Sequence, residues 1–167
     1  MQQQKITPCL WFATQALEAS QYYTSIVPNS AIRHVHRSPA DTPGGKAGSV
    51  LMVTFTLAGH PYQALNGGPH DTFNDAISLS FSCEDQAEVD HLWSSLTANG
   101  GKPVKCGWLK DKYGLSWQIV PKRLVELMSG SDPATSKRVM QAMLKMIKID
   151  IAGLEAAAAG LNSPPAS

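Results

Sequence analysis

Hydrophobic and polar positions along this chain change period in an order that repeats. Residues 5–12 (Lys-Ile-Thr-Pro-Cys-Leu-Trp-Phe) read as a strand-like run ending on an apolar pair. From residue 15 to 26 the period turns helical. Ala16, Ala19, Tyr22, Tyr23 and Ile26 recur at three- and four-residue spacing, which predicts an amphipathic helix stopped by Pro28-Asn29. Residues 31–37 alternate as a short strand, residues 38–48 have loop composition, and Ser49 to Leu57 is a β-branched apolar strand. Ala58-Gly59-His60 predicts a tight turn, Pro61 to Asn66 the returning strand, and Asn66-Gly67-Gly68-Pro69 a second turn.

The same order then starts again. Ala76 to Ser82 alternates as a strand, and residues 85–98 predict a helix with Val89, Leu92, Trp93 and Leu96 on one stripe. Pro103 to Leu109 is strand-like, residues 110–114 form a turn, and Leu115 to Val120 is a strand. A third strand after this helix would be short and lie within residues 102–109. Beyond Pro121 the pattern is helical. Leu124, Val125, Leu127 and Met128 predict a short helix, and Asp132-Pro133 marks a helix start. Val139, Met140, Met143, Leu144, Ile147 and Ile151 continue an apolar, Met-rich stripe, suited either to packing on the chain's own sheet or to a dimer contact. Residues 156–167 read as a frayed tail.

The expected fold class is therefore α+β. Tandem βαβββ units form curled mixed sheets around a cleft, with C-terminal helices appended. The domain reading is one domain over residues 1–155, with units at about 5–66 and 75–121, a helical extension at 122–155 and a tail at 156–167. A length of 167 residues suits one domain with a sizeable core.

Composition narrows the function classes. Charged residues make up 16% of the chain, below the usual ~25%, yet no apolar run approaches the ~18 residues of a membrane helix. The first residues carry no apolar core, so no signal peptide is expected, and the expected location is cytoplasmic. Cys9, Cys83 and Cys106 are too scattered for a disulfide framework or a paired-cysteine zinc site. The net charge of +1 is unevenly spread. Residues 1–101 hold four basic and eight acidic side chains, and residues 102–148 hold ten basic and three acidic. The basic residues are spaced out without interleaved aromatics, which fits a solvated surface better than base stacking, so no nucleic-acid partner is expected.

Several segments together carry a family resemblance: residues 5–12, Ala64-Leu-Asn-Gly-Gly-Pro-His70, Asn74-Asp-Ala-Ile-Ser78, residues 106–118 and Arg138-Val-Met-Gln-Ala-Met-Leu144. Over about residues 4–155 the chain resembles the PhnB-like family. That family belongs to the vicinal oxygen chelate superfamily, with glyoxalase I, bleomycin-resistance proteins and extradiol dioxygenases. Its members often bear the label 3-demethylubiquinone-9 3-methyltransferase. A methyl-donor site usually has a glycine-rich turn between a strand and a helix of a doubly wound sheet. Here the glycine pairs lie in hairpin turns, in a loop or after a helix, and no GxGxxG occurs.

The resemblance also implies where a superfamily metal would sit, on the first and fourth strands of each half. Carried to this sequence, those positions fall near Pro8, near Ala64 or Asn66, near Ser78 and at Gln118. Asp111-Lys-Tyr-Gly-Leu-Ser-Trp-Gln118 resembles the family's Asp-x-x-Gly-x-x-x-Glu, with Gln118 in the Glu place. One amide without an imidazole is a poor ligand set for a divalent ion. No metal site of the usual superfamily type and no cofactor is expected. His34 and His36, two apart on a strand, point to one side and form an alternative pair, with His60, His70 or His91 as a third ligand.

The candidate ligand-binding residues are Trp11, Phe73, Trp108 and Trp117 as apolar walls, Asn66, Ser78 and Gln118 as orienting groups, and Lys110 at a rim. Asp111 either joins that rim or braces its turn. The favoured expectation is a small-molecule-binding homodimer of bleomycin-resistance type. Its alternatives are a glyoxalase-like lyase or isomerase with an atypical metal, an oligomeric interaction module built on the C-terminal helices, and the methyltransferase of the label.

Overall fold

The computed structural model describes residues 5–161. The chain divides between Phe73 and Asn74 into two compact units. The first contains strand β1 (Cys9–Phe12), helix α1 (Ala16–Ile26) and strands β2 (Ala31–Arg37), β3 (Val50–Leu57) and β4 (His60–Asn66). They form an open mixed sheet in the order β1-β4-β3-β2, with β1 parallel to β4 and the other pairs antiparallel. The β3–β4 connection needs only Ala58 and Gly59, both at positive φ (47° and 81°), as a two-residue hairpin of right-handed twist requires.

The second unit repeats that order with β5 (Ser78–Cys83), α2 (Gln86–Thr97), β6 (Lys102–Pro103), β7 (Trp108–Lys110) and β8 (Ser116–Pro121). Its sheet runs β5-β8-β7-β6, again with one parallel pair, β5 and β8. The short extra strand expected within residues 102–109 is β6. Residues 103–109 do not form one strand, because Cys106 and Gly107 turn the chain at φ 60° and 80°. The strand resumes at Trp108.

Each sheet lays one side under its helix. Leu10, Phe12, Val53, Phe55 and Ala64 are buried in the first unit with Ala16, Ala19, Tyr23 and Ile26 of α1. In the second unit Leu109, Trp117, Ile119 and Cys83 are buried with Val89, Leu92 and Leu96 of α2. Asp85 caps α2 by accepting from Glu88 N at 2.9 Å.

Three helices follow: α3 (Lys122–Met128), α4 (Pro133–Met143) and α5 (Ile151–Ala158). Asp132 caps α4 by accepting from the amides of Ala134 and Thr135, with Pro133 in the first turn, as its sequence predicts. Leu124, Val139, Ile149 and Leu154 make a small core of their own, joined by Met143 and Met146. The Met-rich stripe is not one continuous helix. It breaks after Met143 because the carbonyls of Met146 and Ile147 accept from Cys106 N and Gly107 N at 2.9 and 2.8 Å. Val139 and Met143 pack inward, whereas Met140, Leu144 and Ile147 are exposed. Residues 156–158, expected in the frayed tail, instead complete α5. The Arg138 guanidinium donates to the carbonyls of Ala157 and Ala158 at 3.0 and 2.8 Å, satisfying that helix end. Residues 162–167 of the expected tail lie outside the described residues.

Candidate functional site

The uncovered side of the second sheet brings together most of the polar residues expected at a site. Strand alternation puts Ser78 and Ser80 of β5, Trp108 and Lys110 of β7, and Ser116 and Gln118 of β8 on that one side. Register sets Gln118 between Ser80 and Trp108, and Ser116 between Ser78 and Lys110. Gln118 Nε2 donates to Ser78 Oγ at 2.9 Å. Beside them, Lys110 Nζ pairs with Asp75 Oδ1 at 2.8 Å, and the Ser116 hydroxyl donates to the same oxygen at 3.1 Å. The Lys110 contact first, and then Ser116, hold the Asp75 carboxyl below its ordinary value.

Trp117 does not belong to this surface. It is 2% exposed and faces α2, and its indole N–H donates to Asp111 Oδ2 at 2.9 Å. Neighbours on a strand point to opposite sides, so Trp117 and Gln118 cannot line one face. Asp111 is 2% exposed and its other oxygen accepts from the amides of Tyr113 and Leu115 at 2.9 and 3.1 Å. Of its two readings, the brace is the one the structure supports.

The remaining candidates fall in the first unit. Trp11 stands on the uncovered side of β1 and its indole N–H donates to the Gly68 carbonyl at 3.0 Å. A methyl group at Gly67 would stand 2.2 Å from Trp11 Cζ2, so glycine there makes room for the ring. Asn66, expected as an orienting group, is buried on the helix side. Its Oδ1 accepts from Ala16 N at 2.8 Å and its Nδ2 donates to the Val50 carbonyl at 2.9 Å. It serves as a long-range cap for α1, whose own flanking residue Gln15 provides no side-chain cap. Phe73 meets Phe12 edge to face, with ring centroids 5.3 Å apart.

Sequence reasoning missed Asp75, Ser80 and Ser116. The Ser78-x-Ser80-x-Ser82 alternation was the available signal for Ser80. Asp75 precedes its strand, and only the folded turn reveals its pairing. Besides Trp11 and Leu65, the uncovered positions of β1 and β4 are Cys9 and Gln63, which face each other in register, whereas Ala64 and Asn66 lie on the helix side. Where the resemblance would carry a metal, this chain therefore offers a thiol, amides and hydroxyls. That donor set does not fit a tightly bound divalent ion. No group of three or more His, Cys, Asp or Glu with metal-holding geometry occurs among the described residues.

A separate shallow cavity of about 450 Å³ is lined by Glu84, Asp85, Gln86, Arg123, Asp150 and Glu155, among others. Its polar groups are already engaged. Asp85 and Asp150 cap helices, Arg123 pairs with Glu155, and Gln86 bonds the backbone of Ile149 and Ile151. Among the described residues no helix is long and apolar enough to cross a membrane.

Residues 4–120 match the family model described as 3-demethylubiquinone-9 3-methyltransferase. The chain belongs to that family. A PhnB protein from Bacillus cereus shares 35% identity over 71% of this chain and 99% of its own, with a TM-score of 0.64. A protein from Pseudomonas aeruginosa shares the fold at 17% identity, over 71% of this chain and 98% of its own, with a TM-score of 0.60. A glyoxalase/bleomycin resistance protein/dioxygenase domain from Frankia sp. aligns at 16% identity over 72% of this chain and 93% of its own, at a TM-score of 0.46, too low to bear on chemistry. Among curated proteins nothing matches. The PhnB-like match ends at the last residues of β8, so α3, α4 and α5 lie beyond it. The two strand-to-helix turns of this PhnB-like chain, residues 13–15 and 84–85, contain no glycine.

Proposed function

We propose that this PhnB-like protein binds a small planar molecule bearing an anionic group, on the uncovered side of the second sheet. The reading rests on one juxtaposition. Trp108, Gln118, Ser78 and the Lys110–Asp75–Ser116 cluster share that side. Trp108 supplies a flat apolar wall. Gln118 and Ser78, already bonded to each other, present a pre-oriented amide oxygen and hydroxyl. An anionic ligand group would take the place of the Asp75 carboxylate beside the Lys110 ammonium. The side chains named here bind and orient, and none of them forms a nucleophile–base pair. The sequestering mode of bleomycin-resistance proteins therefore fits better than glyoxalase-like lyase or isomerase chemistry, and the reading includes no cofactor.

The test is a thermal-shift screen of planar carboxylates, phosphonates and phosphates against the full chain, with Trp108→Ala and Gln118→Ala beside it. A compound that stabilises the parent and neither variant supports the proposal. Compounds that stabilise all three equally, or none at all, oppose it. Homodimer formation is a further part of this reading, supported by the exposed apolar side chains Met140, Leu144 and Ile147. Native mass spectrometry tests it, and a monomer at micromolar concentration would count against it.

A further inference from the structure

His34 and His36 lie on β2, an edge strand of the first sheet, and their rings stand edge to face with centroids 4.2 Å apart. A register shift creates this arrangement. Ile32 pairs with Phe55, yet His34 pairs with Thr54, so Arg33 is the extra residue of a bulge. Without that bulge His34 would fall opposite Val53, on the side that packs beneath α1. With it, His34 and His36 are both exposed and Val35 takes the inward place.

The neighbouring strand sets a thioether residue beside the pair. Met52 of β3 stands directly opposite His36, and Thr54 opposite His34. Directly opposed residues hold their Cβ atoms about 4.5–5.5 Å apart, within reach for a methionine side chain. The nearby Arg37 guanidinium is turned away, donating to the Gly48 carbonyl at 3.0 Å.

We propose that His34, His36 and Met52 form a copper-binding site at the β2 edge of the first sheet. Imidazole and thioether both suit copper. Copper(II) also binds nitrogen sites more tightly than the other first-row divalent ions. Two imidazoles on adjacent same-side positions of an exposed strand give a chelating pair, with water completing the coordination. The site is built from residues of the first unit alone and uses none of the residues named for ligand binding above. It does not depend on the function proposed above.

The experiment loads the full chain with copper(II) sulfate, removes free metal, and reads stoichiometry by native mass spectrometry and the ligand set by electron paramagnetic resonance. One copper per chain with coupling to two imidazole nitrogens is expected. His34→Ala and His36→Ala should each weaken retention roughly tenfold or more. His34→Asn and His36→Asn should do the same, which guards against a local disturbance of the strand. Met52→Leu should keep copper(II) but lose it faster after reduction with ascorbate. Cys9 lies on the same sheet and is exposed, so Cys9→Ser is the control and should retain the metal. A parent chain that retains no copper overturns the proposal. So does retention unchanged in all the histidine variants, or retention that vanishes in Cys9→Ser.

Discussion

Asp111 and Trp117 form a buried pair, with the indole N–H donating to the carboxylate at 2.9 Å beneath the β7–β8 turn. The same carboxylate accepts from the amides of Tyr113 and Leu115, so it organises the turn and fixes which side of β8 carries the tryptophan. Asp111→Ala would remove the carboxylate that accepts from these three donors. It should cost about 3 kcal/mol in urea denaturation, with Asp111→Asn losing less. A loss below ~0.5 kcal/mol for the alanine variant would show that the turn stands without this brace.

Trp11 and Gly67 make the corresponding fixed contact in the first unit. The glycine has no positive φ to explain it; what it provides is space for the ring. Gly67→Ala should displace Trp11, break its bond to the Gly68 carbonyl and destabilise the protein by about 2 kcal/mol. A red-shifted tryptophan emission, removed in Trp11→Phe, would report the displacement.

Acid should weaken the fold through identifiable carboxylates. Asp75, Asp90 and Asp132 are each held below the ordinary value of 3.8, chiefly by Lys110, Lys148 and Thr135 respectively. A lowered folded-state value means the contribution is fully present above pH 3.8 and is lost as pH falls through the folded values. The acid limb of stability against pH should therefore flatten stepwise in Asp75→Asn, Asp90→Asn and Asp132→Asn. Since these groups are exposed, added salt should shrink the effect.

The Cys83 thiol is pushed up to about 12, mainly by burial and further by Glu88 and Asp85. It should resist thiol reagents at pH 8 until the protein unfolds. The labelling rate of the folded protein should be the same in Cys83→Ser. A slower rate in that variant would place Cys83 within reach of solvent.

Much of the fold was legible because each element carried a local signal. The change of period at Ala16, the stripe of Val89, Leu92 and Leu96, and the Asp132-Pro133 start all mark elements that formed as read. The break after Met143 was not legible, because distant partners caused it: Cys106 and Gly107 claim carbonyls that a helix would have used. Half of the candidate site was readable in the same way. Ser78, Trp108, Lys110 and Gln118 share one side, as the period of the strands allows. Trp117, expected beside Gln118 on one face, instead points to the opposite side, as the strand period requires. Asn66 looked like an orienting amide, and only the fold shows that both ends of its amide bond backbone groups 50 and 16 residues away.

The most direct test of the ligand-binding account is native mass spectrometry of the full chain, purified without chelator and offered the compounds that stabilise it. The parent should carry one ligand mass per chain that Trp108→Ala and Gln118→Ala both lose while keeping their folded charge-state distribution. Equal uptake by all three proteins would place the ligand elsewhere and contradict the account.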